Sequence, residues 1–300
     1  MFCKNGVPSH ILYFGDSLGD NLLLTTLSKA LYERGYQNIW IKCDHPDLFK
    51  NNPVVKLVIP FNTLLSSYLL KLGNVKLVRP AYTTYQPEED RDLIPEKHIL
   101  LKMADWLDIK GTIENKPVLD LEVAETAKGL IYDKQIVIVT STVSALIPMK
   151  NKEWFAGRYQ QIVDKYANQY QFIQLGSKYD APLTNVLDLR GKTTIRESAA
   201  ILKNARLLIT HVGFMMHLAR AVDCRAVIIY GGRESPDQSG YSVFRNIYSE
   251  VACSPCWFHN KCEHDRKCLT RITSSDAEHA VLEQLQLYGT PLTTDLLINI

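Results

Sequence analysis

The sequence predicts an α/β protein built from two doubly wound domains, each a parallel sheet covered by helices. Three observations predict it. Short apolar runs such as H-I-L-Y-F-G at 10–15 and Q-I-V-I-V-T at 135–140 alternate with amphipathic stretches, the rhythm of strands joined through crossover helices. The rhythm occurs twice, with a changeover around 111–134. A chain of 300 residues also exceeds one typical core, so two domains of about 130–150 residues are expected. The boundaries follow as 1–130 and 131–300.

In the first series, 10–15 reads as a buried strand. Asp20 to Arg34 reads as a helix, with Leu23, Leu27, Ala30 and Leu31 at helical spacing and Gly35 as its stop. N-I-W-I-K at 38–42, V-K-L-V-I-P at 55–60 and V-K-L-V-R-P at 75–80 are strands, the last two ended by proline. Helices are expected over 63–72 and 96–107. The second series opens with the strand at 135–140. A helix over 154–166, strands at 171–176 and 186–189, and a helix over 195–203 follow. L-L-I-T at 207–210 and A-V-I-I-Y-G at 226–231 are strands flanking a helix over 213–222, and a last helix covers 276–287.

The net charge of +2 gives no electrostatic footprint for nucleic acid or a membrane surface. The start, M-F-C-K-N-G-V-P, lacks the apolar core of a secretory signal, and no run reaches membrane-spanning length. The expectation is a cytoplasmic protein without integral membrane contact.

Ligands on such sheets bind at carboxyl ends of strands, beside helix N-termini. Three turns fit that position. F-G-D-S-L-G-D-N at 14–21 places Asp20 at a helix start, where a carboxylate caps backbone N–H groups or serves as a general base. No G-K-[ST] follows, so this is not a phosphate loop. I-T-H-V-G-F-M-M-H at 209–217 puts His211 on a loop, Gly213 at a helix start aimed at an anion, and His217 one turn further. The turn at 140–154 offers the hydroxyls of Ser141 and Thr142, then Lys150 and Lys152; Lys150 reads as a solvated surface residue. Tyr82 and Tyr85 are exposed loop tyrosines that could also stack on a sugar or base.

These stretches resemble glycosyltransferase family nine, the ADP-heptose:lipopolysaccharide heptosyltransferases. S-L-G-D-N-L-L-L-T-T at 17–26, H-P-D-L-F-K-N-N-P-V-V at 45–55, K-E-W-F-A-G-R-Y at 152–159, L-R-G-K-T-T-I-R-E-S-A-A-I-L at 189–202 and G-F-M-M-H-L-A-R-A-V at 213–222, followed by Y-G-G at 230–232, occur in the family's order. The resemblance implies a GT-B fold, two Rossmann-like domains facing a cleft, with the acceptor bound by the first and the nucleotide-sugar by the second. It implies inverting transfer from a nucleoside-diphosphate sugar to a hydroxyl of lipopolysaccharide core, protein or nucleobase, and is compatible with an oligomer. Asp20 matches the catalytic base. Lys152, Gly213 and His217 match donor-phosphate residues, Ser141 or Thr142 the neighbouring hydroxyls, and Asp180 a ribose ligand. His211 stands where the family has an aspartate, and one extra residue precedes His217, so ADP-heptose does not follow as the donor. The alternative is an inactive nucleotide-sugar or carbohydrate-binding module.

Cys253, Cys256, Cys262 and Cys268 are spaced C-x2-C-x5-C-x5-C, in a long irregular excursion over 250–270. In a reducing compartment such a cluster reads as a closed zinc or iron site rather than two disulfides or free thiols. His259 and His264 are alternative ligands. Bacterial autotransporter heptosyltransferases, a branch of the same family, carry a similar four-cysteine iron site. The metal is expected to hold the excursion in place. Cys3, Cys43 and Cys224 are scattered and read as ordinary small apolar residues.

Overall fold

The computed structural model describes residues 5–62, 74–143, 145, 147–292 and 297–299. The helix expected over 63–72 lies outside these residues, as does Cys3. The chain divides into two compact units. The first comprises Met1–Tyr82, Lys97–Asp120 and Asp295–Ile300, and the second Thr83–Glu96 and Leu121–Thr294. Thus 83–96 and 121–130 pack with the second unit, and 297–299 with the first, which a single cut at 130 does not capture.

The first unit holds four parallel strands, β1 (His10–Leu12), β2 (Ile39–Lys42), β3 (Val55–Ile59) and β4 (Lys76–Val78), in the order β3-β2-β1-β4. Ile11, Trp40, Ile59 and Val75 form its core on one side. Helix α1 (Leu18–Glu33) follows β1 and buries Leu22, Leu23, Leu24, Leu27 and Leu31. The Thr25 hydroxyl donates to the Leu22 carbonyl at 2.6 Å and accepts from the Val118 N–H at 2.8 Å. That tie fixes the helix against the chain leaving the unit.

In the second unit, β5 (Tyr85–Gln86) and β6 (Arg91–Asp92) form a short antiparallel pair. Helix α2 (Ile99–Asp105) and strand β7 (Thr112–Glu114), next along the chain, belong to the first unit. The second unit resumes with α3 (Val123–Lys128), β8 (Gln135–Ile138), α4 (Ala156–Tyr166), β9 (Gln171–Gln174), β10 (Val186–Asp188), α5 (Ile195–Lys203) and β11 (Leu207–His211). Then come α6 (Phe214–Ala221), β12 (Ala226–Tyr230), α7 (Pro236–Ser239), β13 (Arg245–Tyr248), α8 (Lys267–Thr270) and α9 (Ser274–Gln286). Strand β14 (Leu297–Asn299) pairs antiparallel with β7 in the first unit.

The second sheet is parallel throughout, in the order β10-β9-β8-β11-β12-β13. Strand order reverses between β8 and β11, which opens a crevice beyond their carboxyl ends. Ile136, Ile138, Ile209, Val227 and Ile229 point into a core closed by Trp154, Tyr159, Ile162 and Val163 around α4 and by Ala277, Ala280 and Val281 of α9. The predicted helix over 195–203 is found at those bounds. The reason is local: Thr194 caps it, and its hydroxyl and the Glu197 carboxylate bond each other's backbone N–H groups. No helix among the described residues is long and apolar enough to cross a membrane.

Candidate functional site

The crevice at the reversal of the second sheet is built from the turns after β8 and β11. After β8 the chain makes an irregular turn whose shape is set by Glu153. One carboxylate oxygen accepts from the Ser141 hydroxyl at 3.0 Å, the Thr142 N–H at 2.7 Å and the Thr142 hydroxyl at 2.7 Å. The predicted hydroxyls are therefore side by side, presented by a carboxylate that the motif reading left unassigned.

Beside this turn lies a cavity of about 270 Å³ lined by Thr140, Ser141, Glu153, Trp154, Phe155, Ala156, Ala181 and Arg266. Helix α4 starts at its wall, and Phe155 at the N-cap offers no side-chain acceptor. Its first-turn amides are the kind of positive end that seats an anion.

Lys152 closes a short 3-10 turn (Lys150–Lys152) and ion-pairs with Glu234 at 2.6 Å; both side chains are largely buried. Arg233 binds Glu234 at 3.1 Å on one side and Asp92 on the other, and Asp92 also takes the His259 Nε2 at 2.8 Å. Burial pushes the Glu234 carboxyl up, yet Lys152 and Arg233 outweigh it and hold the group at about 2. Lys152 is thus a cation fixed from behind by a buried carboxylate. Lys150 is exposed, as expected.

His211 is the last residue of β11, paired with Ile229, and not part of a loop. Its ring is buried, which lowers its pKa to about 4, with Glu153 raising and Lys152 lowering it further. The imidazole is neutral at physiological pH. Gly213 is the N-cap of α6 and supplies no side-chain acceptor, so the start of α6 also points bare amides outward. His217 turns inward: its Nδ1 is 2.7 Å from the buried Tyr241 hydroxyl.

Asp180 ends the turn after β9 and is 3 % exposed. It accepts from the Ser177 N–H at 3.2 Å, while its other oxygen has no hydrogen-bond partner among the described residues. Burial raises its pKa from 3.8 to about 6, with Glu153 adding to the rise. A folded-state pKa above the unfolded one means that ionisation opposes folding. The destabilisation is nil below pH 3.8 and reaches its full extent as pH rises past about 6. Asp180→Asn is therefore expected to raise stability by about 2–3 kcal/mol at about pH 7.5 and by almost nothing at about pH 3.5. Denaturant titrations at both pH values measure this; equal stabilities at about pH 7.5 would show that the carboxyl is not raised.

In the first unit, Asp20 lies in the first turn of α1, partly exposed. It is not the cap. Ser17 is, its hydroxyl accepting from the Asp20 N–H at 3.5 Å. The Asn21 side chain donates to the Gly15 and Ser17 carbonyls at 2.6 and 2.9 Å, fixing the loop that precedes Asp20. Tyr82 stacks on Phe14 at 5.7 Å, and Tyr85, in the second unit, on His259 at 4.9 Å, so each tyrosine already has a ring partner.

The cysteine excursion is held in part by its backbone. Residues 256–259 run between the Gly232–Arg233 segment and β6: Cys256 and Trp257 donate N–H to the Gly232 and Arg233 carbonyls, both at 2.8 Å. Asp92 donates to the Trp257 carbonyl, and His259 to that of Asp90. Trp257 is 1 % exposed and carries Arg233 over its ring at 4.5 Å. Gly231 and Gly232 make this approach possible. A Cβ at 231 would fall 2.0 Å from the Asn151 carbonyl, and one at 232 would fall 2.8 Å from the Cys268 sulfur.

Cys253, Cys256, Cys262 and Cys268 form no disulfide among the described residues. Burial first, then the neighbouring sulfurs, raise Cys256 and Cys268, so the four are electrostatic neighbours. Among the described residues no three His, Cys, Asp or Glu side chains form a group that could hold a metal. His259 is committed to Asp92 through Nε2 and is not available there as a ligand through that atom. Cys43 and Cys224 are buried, as expected.

The sequence model described as Glycosyltransferase family 9 (heptosyltransferase) matches residues 103–267. No curated protein matches the chain. Among solved structures, the glycosyl transferase family 9 protein from Veillonella parvula DSM 2008 is 15 % identical with a TM-score of 0.67, over 92 % of this chain and 97 % of that one. E. coli ADP-heptose lps heptosyltransferase II is 14 % identical with a TM-score of 0.68, over 93 % and 98 %. The iron-containing dodecameric glycosyltransferase TibC from enterotoxigenic E. coli H10407 is 15 % identical with a TM-score of 0.71, over 93 % and 78 %. At these identities the structures establish a shared α/β fold.

Proposed function

The chain belongs to glycosyltransferase family 9 and is a glycosyltransferase, and we propose that it moves a sugar, with inversion, from a nucleoside diphosphate to an acceptor hydroxyl. The observation that carries the donor assignment is the crevice of the second sheet. The Ser141–Thr142 turn, the buried-anchored cation Lys152 and the uncapped start of α6 all lie at the carboxyl ends of β8 and β11. Fixed N–H dipoles and a lysine suit charge that grows on a leaving diphosphate. His217 supports α6 from within through Tyr241, and neutral His211 replaces a carboxylate beside the same turn. Asp180, with one unpaired buried oxygen, is the acceptor for a ribose hydroxyl.

In the reaction, the acceptor oxygen bonds to the anomeric carbon as that carbon's bond to the diphosphate oxygen breaks. The acceptor proton passes to the Asp20 carboxylate, and the nucleoside diphosphate leaves with the bonding pair.

Cys253, Cys256, Cys262 and Cys268 would hold one iron or zinc ion. The residue types of the donor set fit: four cysteines on one excursion whose sulfurs act on one another electrostatically, with the Arg266 N–H at 3.3 Å from the Cys262 sulfur, as thiolates favour. The closed set of ligands gives the ion a cross-linking role and leaves no position for substrate. TibC, described as iron-containing and dodecameric, prompts both the metal reading and a homo-oligomer.

The test is a panel of ADP-, GDP- and UDP-sugars on purified protein, read by thermal shift and by release of nucleoside diphosphate. One nucleotide class is expected to raise the melting temperature, since binding stabilises by mass action, and to be turned over with a hydroxyl acceptor. Elemental analysis of the same preparation is expected to give about one iron or zinc per chain. No shift and no release with any donor would overturn the donor site; metal-free protein with four titratable thiols would overturn the metal.

A further inference from the structure

The cavity beside the Ser141–Thr142 turn has one acidic and one basic residue in its wall, Glu153 and Arg266. Glu153 is occupied on one oxygen by three donors of the turn. An anion entering beside that carboxylate needs a compensating cation. Arg266 is placed to be it. Its guanidinium makes no hydrogen bond or ion pair among the described residues, while its backbone is tightly held: the N–H donates to the Cys262 sulfur at 3.3 Å, and the carbonyl accepts from Leu269 and Thr270. Arg266 also has a left-handed backbone, φ 50°, as the N-cap of α8, the helix that carries the buried Cys268. A non-glycine residue persists there where its surroundings fix it, and here the Cys262 sulfur and the Leu269 and Thr270 amides do so. The start of α4, whose N-cap Phe155 supplies no side-chain acceptor, lines the same cavity.

We propose that Arg266 is a donor-binding residue, delivered by the cysteine-rich excursion to the diphosphate of the sugar nucleotide in the cavity that borders the Ser141–Thr142 turn and the start of α4. This rests on the donor reading above. It assigns the excursion a binding role besides its structural one. Guanidinium is suited to this because its planar fork bonds two phosphoryl oxygens at once, which a lysine cannot do.

The experiment is calorimetric titration of ADP, GDP and UDP, and of the matching nucleosides, into wild type, Arg266→Gln and Arg266→Lys, with melting temperatures recorded for all three. Arg266→Gln is expected to weaken the preferred nucleoside diphosphate by about tenfold or more and to leave the nucleoside unchanged, with Arg266→Lys intermediate. Wild-type diphosphate affinity is expected to fall more steeply with salt than that of Arg266→Gln. Diphosphate affinity within about twofold of wild type in Arg266→Gln, or equal losses for nucleoside and diphosphate, overturns the assignment. A wild-type protein that binds none of the three diphosphates overturns the donor reading itself, and this inference with it.

Discussion

Glu234→Gln is expected to destabilise the second unit by about 3–5 kcal/mol, the range for breaking a buried ion pair from one side. Glu234 is almost completely buried between Lys152 and Arg233. Removing its charge leaves Lys152 without its buried counter-charge, while Arg233 keeps Asp92. The pH dependence has a definite sign. The folded pKa is depressed from 4.5 to about 2, so the stabilisation is complete above 4.5 and is lost as pH falls towards 2. Wild type and Glu234→Gln should therefore converge in stability across that acid window, and the difference near neutrality should be large. Guanidinium titrations over pH give both quantities. The substitution should also weaken nucleoside diphosphate binding, because Lys152 would lose the carboxylate that orients it from behind. A variant as stable as wild type at neutral pH would mean that the network contributes no net stability.

Asp20→Asn is expected to reduce transfer by about 10²- to 10⁴-fold, the usual share of a general base. The fold should survive, because Ser17 and not Asp20 caps α1, and Asn21 pins the preceding loop independently. Loss of one carboxylate from the first turn costs about 0.3–1 kcal/mol through the helix dipole. Donor affinity should be unchanged, since the donor assignment involves residues of the second unit. Initial rates with saturating donor, together with donor calorimetry, separate the two effects. A rate within a few-fold of wild type would remove Asp20 from the base role. A fall in both rate and donor affinity would make it a binding residue instead.

The two networks differ in how far they could be read in advance. Asp20, Ser141, Thr142, Lys152 and Gly213 lie in short turns directly after predicted strands, where the pattern of apolar run, turn and helix already marks a ligand position. Helix 195–203 was legible to the residue, because a cap and its reciprocal partner lie three positions apart. The strand pairs β5–β6 and β7–β14, and strand β13, were not. They are short or at an edge, and none shows the long apolar run that marks a central strand.

Sequence by itself determined the α/β class, the two repeats of the strand–helix rhythm, the family and the turns that carry the candidate site. It could do so because periodicity, capping and turn chemistry depend on neighbours within a few residues. Only the tertiary structure decided what anchors those turns. His259 meets Asp92 from 167 positions away, and Arg233 meets the same carboxylate from 141. Glu153 gathers the hydroxyl turn, Glu234 holds Lys152, and His217 faces Tyr241 rather than outward. The excursion over 250–270 is likewise fixed by main-chain bonds to β6 and to the Gly231–Gly232 turn. The physical reason is that a buried charge must find its partner in space, and topology alone sets which distant carboxylate or guanidinium arrives there.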